Sequence, residues 1–300
     1  MASMKLLVTG AGGQVGFELA AALKPLGHVL AVDRAGLDLS DHRAIATLVR
    51  DFRPDVLVNA AAYTAVDQAE SERDLAYAIN ATAPGIMAEC MARVGGLLVH
   101  YSTDYVYDGQ KTGPYVESDP VAPLNEYGAS KLAGEAAIAR TGVDHVILRT
   151  SWVYGLRGRN FLNTICRLAG QKPELRIVAD QFGAPTWAAW IARETARIVG
   201  ACHPMKAGSA AGPSDLSGIY HLTAGGETTW HGFASRIVAT LAQRGVVPSI
   251  PVLPISAAEY PLPARRPMNS VLDNSKARRA FGVEQVSWEA QLDECLAARA

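Results

Sequence analysis

Short apolar runs alternate along the first half of the chain with stretches whose apolar residues recur at helical spacing. Residues 5–9 (KLLVT) predict a buried strand, and the glycines after them open a turn. Residues 15–26 predict an amphipathic helix with Gly27 as its stop. A strand is predicted over 28–32, a helix over 44–52 that Pro54 breaks, and a strand over 55–59 (DVLVN). An Ala-rich helix over 74–94, a strand over 97–102 (LLVHYS), a helix over 125–140 and a strand over 145–150 follow. The strands are continuous apolar runs rather than alternating ones, so both of their faces are buried. Interleaved with helices, they predict an α/β fold of the Rossmann type, a doubly wound parallel sheet.

The second half alternates less cleanly. A helix is predicted over 191–200 and a late strand over 218–223 (GIYHLT). Residues 206–218, rich in Gly, Ser, Ala and Pro, predict a surface loop, and the proline-dense stretch 248–267 predicts irregular chain. Trp187 and Trp190, three apart, predict a packed helix face, and the charges over 276–279 a solvated one. No internal repeat or abrupt change of composition marks a boundary, so a smaller second lobe grows out of the sheet as insertions and a carboxy-terminal region.

Composition narrows the classes of function. Of 300 residues, 49% are hydrophobic and 19% charged, which excludes extended disorder and gives enough chain for a large core. Twenty-eight basic residues against 29 acidic ones leave a net charge of −1, so no cationic excess drives binding to nucleic acid. No apolar run approaches the roughly 20 residues of a membrane span. Residues 1–5 (MASMK) lead into the first strand without the apolar region of a secretory signal, so a cytoplasmic location is expected. Cys90, Cys166, Cys202 and Cys295 are widely spaced and form no CxxC pair, which predicts buried, inert thiols rather than disulfides or a zinc site. The seven histidines share no ligand spacing, and His100 reads as a core residue.

Three groups of residues carry chemistry. In residues 9–16 (TGAGGQVG), Gly10, Gly13 and Gly16 lie between a strand and a helix. There Gly10 permits a tight turn, Gly13 lets the backbone approach a pyrophosphate, and Gly16 lets the helix lie close on the strand. The helix start offers free N–H groups and a positive dipole end to phosphate. At the end of the second strand, Asp33 would bind the adenosine ribose hydroxyls of NAD, whereas the adjacent Arg34 would accept the 2′-phosphate of NADP, so the choice between NADH and NADPH stays open. Asp38 and Leu39, in a loop, would flank adenine, and the small residues after Asn59 suit a backbone-hugging cofactor. Tyr127 and Lys131 are one helical turn apart, where an ammonium can lower a phenol's pKa into proton-transfer range. Ser102, Thr103 and Asp104, at a strand end, bring hydroxyls and a carboxylate that can meet Tyr127 over the cofactor.

These residues bring the chain to a family. It resembles the extended short-chain dehydrogenase/reductases and, within them, the dTDP-4-dehydrorhamnose reductases. The segments that carry the likeness run nearly end to end: VTGAGGQVG (8–16), RPDVLVNAAAYTAVDQAE (53–70), HYSTDYVYDG (100–109), APLNEYGASKLAGE (122–135), LRTSWVYG (148–155), DQFGAPT (180–186), YHLTAGGETTWHGFA (220–234) and YPLPARRPMNSVLD (260–273). The resemblance implies NADPH- or NADH-dependent reduction of the C4 ketone of dTDP-4-dehydro-L-rhamnose, the last step of dTDP-L-rhamnose synthesis, feeding a bacterial surface polysaccharide.

It implies Tyr127 as proton donor, Lys131 as its tuner and ribose ligand, and Thr103 as the hydroxyl on the ketone oxygen. Asp104 and Trp152 match sugar contacts; Gly13, Gln14, Val15, Asp38, Leu39, Ala62, Tyr63 and Thr64 match cofactor contacts. Tyr63 stands where some relatives carry histidine. Arg265, Arg266, Asn269 and Ser270 fall in the nucleotide-sugar lobe, with Arg265 and Arg266 either facing a pyrophosphate or forming a solvated loop pair. Residues 1–152 and about 184–224 are expected to hold the dinucleotide, and about 153–183 and 225–300 the nucleotide sugar. Some relatives hold magnesium at a dimer contact with a carboxylate cluster. Glu18 matches one such ligand, but Trp187-Ala188-Ala189 stands where a glutamate is expected. A hard cation then has too few oxygens, so no metal and a monomer or weak homodimer are expected. Two other readings compete: a nucleotide-sugar epimerase or dehydratase of the same family, and a non-catalytic NADP-binding regulatory subunit.

Overall fold

Six parallel strands organise the computed structural model, which describes residues 3–202 and 213–299. Strand β1 (Met4–Thr9) leads through the glycine turn into α1 (Gln14–Ala22), and a short 3₁₀ turn around Pro25 carries the chain to β2 (Gly27–Val32). Helix α2 (His42–Phe52), capped by the Asp41 carboxylate, precedes β3 (Val56–Asn59). Two short helices, α3 (Val66–Ala69) and α4 (Arg73–Tyr77), lead into a π turn over Ala78–Thr82 and then α5 (Ala83–Val94). Strand β4 (Leu97–Thr103), α6 (Glu126–Ala139) and β5 (His145–Thr150) complete the unit.

Beyond it come β6 (Val153–Tyr154), α7 (Phe161–Ala169), β7 (Leu175–Val178), β8 (Phe182–Gly183), β9 (Thr186–Trp187) and α8 (Ala188–Cys202). Strand β10 (Gly218–His221) returns to the main sheet; β11 (Thr228–Thr229), α9 (Trp230–Gln243), β12 (Val252–Ile255), α10 (Ser275–Phe281) and α11 (Trp288–Ala297) follow.

The sheet order is β10-β5-β4-β3-β1-β2. Chain direction across the sheet therefore reverses at β1, and the crevice outside the carboxyl ends of β1 and β3 is where such sheets place ligands. Successive residues point to opposite faces. Leu6 and Val8 join one core with Leu19, Trp190 and Ile191, while Leu7 joins a second with Ile45, Leu57, Met87 and Ile147. The register sets Thr9 beside Asn59 and Asn59 beside His100 in one row across three strands.

The structure alters several expectations. Residues 248–267 are not wholly irregular: β12 pairs with β7 in parallel, and a 3₁₀ turn follows at Ala257–Glu259. The helix expected over 74–94 is divided by the π turn. Trp187 ends a strand rather than sharing a helix with the fully buried Trp190. Lys276 is not solvated, since its ammonium donates to the Ile219 carbonyl (2.7 Å) and lies over the Tyr220 ring. Of the loop expected over 206–218, residues 206–212 lie outside the described residues, and Pro213–Leu216 form a 3₁₀ turn. Among the described residues no helix is long and apolar enough to cross a membrane.

One buried network joins α6, β4 and β5. Arg149 forks onto Glu135 with contacts of 2.9 and 2.6 Å and donates to the Tyr107 hydroxyl (2.7 Å). Glu135 also accepts from the Ser102 hydroxyl, and Tyr107 bonds His221.

Candidate active site

At the carboxyl end of β1, Gly10 has φ +76°, and a Cβ there would lie 2.6 Å from the Ala61 nitrogen, so the tips of β1 and β3 touch. A Cβ on Gly16 would overlap the Gly10 carbonyl, which forces α1 close against the turn. Gly13 caps α1 without any side-chain bond, so the first N–H groups of this helix remain available to an anion. This arrangement fits a dinucleotide pyrophosphate. Gln14 accepts from the Asn160 amide (2.8 Å), tying the turn to the start of α7, and Val15 packs on the core.

The second strand delivers its two charges differently. One oxygen of Asp33 accepts from the backbone N–H groups of Ala35 and Gly36. Arg34 is 83% exposed and only 3.9 Å from Asp38. Two bonds from Ser40 hold the Asp38 carboxyl below its usual range, and Leu39 turns into the core beside Ile45.

After β3, Ala60, Ala61 and Ala62 are half-buried and Thr64 is exposed. The buried Asn80 brackets Tyr63, accepting from its N–H (2.9 Å) and donating to its carbonyl (3.0 Å) and to the Ser130 hydroxyl (3.0 Å). Tyr63's phenol donates to Glu72. The π turn aims Asn80 here, and Gly134 of α6 has no room for a Cβ against the Asn80 carbonyl. Sequence reasoning did not single out Asn80. An Asn inside a helical stretch, where the residue has low propensity, is the signal that marks it.

Strand β4 and α6 meet at the reacting group. Asn125 caps α6 through the Gly128 N–H (2.8 Å) and donates to the Arg265 carbonyl (2.8 Å). Thr103 donates to Asp104 (2.9 Å), accepts from the Tyr105 N–H (3.2 Å) and lies beside the Tyr127 phenol. Withdrawal from water pushes Tyr127 up to about 12, with the nearby Thr103 hydroxyl opposing. The structure thus brings Thr103 beside Tyr127. Lys131 donates to the Tyr101 carbonyl (2.6 Å) and sits 3.3 Å from His100. Burial lowers Lys131 to about 8, with Glu135 opposing.

Asp104 is buried, one of its oxygens has no partner, and burial pushes its carboxyl up to about 6. A carboxyl raised on folding contributes fully below its unfolded pKa of about 4 and loses that contribution as pH rises through about 6. Asp104→Asn is therefore expected to gain about 1 to 3 kcal/mol relative to the unaltered protein between pH 4 and 8. Urea unfolding at both pH values checks this, and a constant gap would show that Asp104 does not titrate there.

Over this end of the sheet opens a cavity of about 1340 Å³, lined by Tyr105, Gln181, Trp230, Arg265, Arg266 and Met268 among others. Trp152 has φ +46° and stacks on Trp230 at 3.6 Å, with Gly183 leaving room for its ring. The basic pair divides. Arg266 forks onto Asp67 (2.7 Å to each oxygen), whose carboxylate also accepts from the Ala264 N–H, while Arg265 is exposed on the cavity. Asn269 ties down the carbonyls of Lys111 and Gly113, and Ser270 is buried near Asp104. Glu18 is half-buried near Arg157, and Trp187 bonds Gln291 through its backbone. Among the described residues no group of three or more His, Cys, Asp or Glu could hold a metal ion.

A glycine turn and a strand-end hydroxyl beside a helix tyrosine thus lie at the carboxyl ends of the parallel strands, with a large cavity lined by Tyr105 opening next to them. The family profile of the RmlD substrate binding domain matches residues 4–300. The chain belongs to this family. It is 51% identical over 296 residues to a dTDP-4-dehydrorhamnose reductase of Burkholderia thailandensis, covering 98% of each chain. To the enzyme of the same name from Escherichia coli K12 it is 42% identical, covering 95% of each. A solved dTDP-4-dehydrorhamnose reductase from Bacillus anthracis, in complex with NADP, superposes with a TM-score of 0.88 at 35% identity, over 99% of this chain and all of that one.

Proposed function

We infer that this protein reduces the C4 ketone of dTDP-4-dehydro-L-rhamnose with NAD(P)H, giving dTDP-L-rhamnose. What carries the reading is full-length likeness to reductases of that name together with the Thr103–Tyr127 pair at the crevice. The glycine turn, with Gln14, Val15, Asp33, Arg34, Asp38, Leu39 and residues 62–64, would hold the cofactor, and Lys131 its nicotinamide ribose. When bound, the reduced nicotinamide supplies the hydride.

The chain's own residues handle the oxygen. Tyr127 is fully protonated at neutral pH, with its pKa near 12, and so serves as a donor. It gives its proton to the alkoxide as charge develops there, while Thr103 bonds the same oxygen. Asp104 and Trp152 orient the sugar, and Arg265 faces the diphosphate from the cavity wall. Residues 1–152 and about 184–224 form the dinucleotide part, and about 153–183 and 225–300 the sugar part. The protein works in the cytoplasm as a monomer or weak homodimer. The lone Glu18, without a carboxylate from Trp187-Ala188-Ala189, supports a dimer contact without metal.

The test is a coupled assay in which a dehydratase and a 3,5-epimerase make the keto-sugar from dTDP-glucose. Nicotinamide absorbance is followed with NADPH and NADH in parallel. Substrate-dependent oxidation with dTDP-rhamnose formed is the expected result. Binding of cofactor without oxidation would overturn it in favour of another nucleotide sugar or a regulatory role.

A further inference from the structure

Residues 260–267 (YPLPARRP) form a strap along the wall of the large cavity, with Tyr260, Leu262, Arg265 and Arg266 among its lining. Prolines at 261, 263 and 267 fix their own φ and hold Leu262 and Arg266 to extended backbone. The middle of the strap is tied to α3 and α6. Asp67 of α3 accepts from the Ala264 N–H (3.1 Å) and from both terminal nitrogens of Arg266 (2.7 Å each). Arg266 also donates to the Ala264 carbonyl (2.6 Å), closing the strap on itself. Between these two residues, the Arg265 carbonyl accepts from the Asn125 amide (2.8 Å). That amide's orientation is fixed, because Asn125 Oδ1 takes the Gly128 N–H, which can only donate. Three consecutive residues are thus held, and the Arg265 side chain is what they leave over. It is exposed on the cavity, and among the described residues no carboxylate pairs with it.

We propose that Asp67 is a positioning residue for the nucleotide sugar: by clamping the residues on both sides of Arg265, it holds that guanidinium over the substrate's diphosphate. The inference rests on the dTDP-sugar reading of the cavity. The Arg266 bonds hold the Asp67 carboxyl below its usual range, so the clamp is ionised at neutral pH. An arginine on a free loop gives up backbone freedom when it meets a phosphate. One on a clamped strap bounded by prolines has given it up already, and more of the contact shows as affinity. A clamp and a bare charge make opposite predictions. On charge alone, neutralising Asp67 leaves the strap more cationic and tightens anion binding. As a clamp, Asp67 tightens binding itself, and its loss weakens it. The Asp67 side chain is 36% exposed, so water screens its charge and geometry dominates.

The probe is dTDP, titrated calorimetrically into the full chain at physiological salt, with NADPH titrated alongside. Asp67→Asn is expected to weaken dTDP binding about tenfold and to move NADPH binding by less than about twofold. In turnover the loss falls on KM for the keto-sugar. Arg266→Lys, which keeps the charge and loses the fork, should weaken dTDP in the same sense. With Arg265→Ala already in place, Asp67→Asn should change dTDP affinity by less than about twofold, because nothing is left to position. Tighter or unchanged dTDP binding in Asp67→Asn, an equal loss of NADPH affinity, or a tenfold loss that persists without Arg265 would each overturn the proposal. Failure of the unaltered protein to bind dTDP would instead remove the nucleotide-sugar reading itself, and the proposal with it. If Asp67→Asn does not fold, Arg266→Lys decides by the same comparisons.

Discussion

Tyr127→Phe is expected to lower turnover about a thousandfold while leaving cofactor affinity nearly unchanged. The change deletes one oxygen and keeps the ring, which packs edge-on against Tyr105. What disappears is the α6 phenol that lies beside Thr103. Its raised pKa means that the proton is fully in place at pH 7 and that none of the loss comes from a change in ionisation. Turnover is read from nicotinamide absorbance and cofactor binding from quenching of protein fluorescence. A variant that keeps a tenth or more of the activity would move the acid role to Asp104, which shares Thr103 and titrates near 6.

Glu135→Ala should destabilise the protein by about 3–5 kcal/mol, because it leaves Arg149 as a buried cation without a counterion. Both partners are 3% exposed, so water cannot replace the lost carboxylate. The Ser102 hydroxyl loses its acceptor as well. In a chain of this size the melting temperature should fall by about 10 °C. Replacing Glu135 and Arg149 together by Gln and Met should cost distinctly less, since no charge is stranded. Urea unfolding measures both, and a single-variant loss under about 1 kcal/mol would mean that Tyr107 and solvent suffice for the guanidinium.

The central sheet is legible in the sequence because strands buried on both faces are continuous apolar runs, and each is bounded by a glycine, proline or helix cap. The glycine turn is legible for the same local reason. What escapes is set by distant partners. Strand β12 hides among prolines and exists because β7 offers it a partner. Arg265 and Arg266 look alike in the chain, yet the partner that separates them, Asp67, lies 199 residues from Arg266. His100 reads as a core residue and is one by burial, but the strand register that sets it beside Asn59 is not written locally. Lys131 shares a helix face with Tyr127, as its spacing requires; which carbonyl its long side chain reaches depends on β4.

The π turn before α5 has a consequence for how this chain can change in length. A π turn is one residue more than the α-helix would use over the same rise. Deleting a residue between Ala78 and Thr82 would restore regular helical bonds, so local backbone geometry would not resist it. Everything on one side of the cut, however, would rotate by about 100°. Asn80 would swing away from Tyr63 and Ser130 together, and the backbone beside the cofactor crevice would lose its clamp. The number of residues in this helical stretch is therefore fixed by the site it serves, even though the helix itself would accept one fewer.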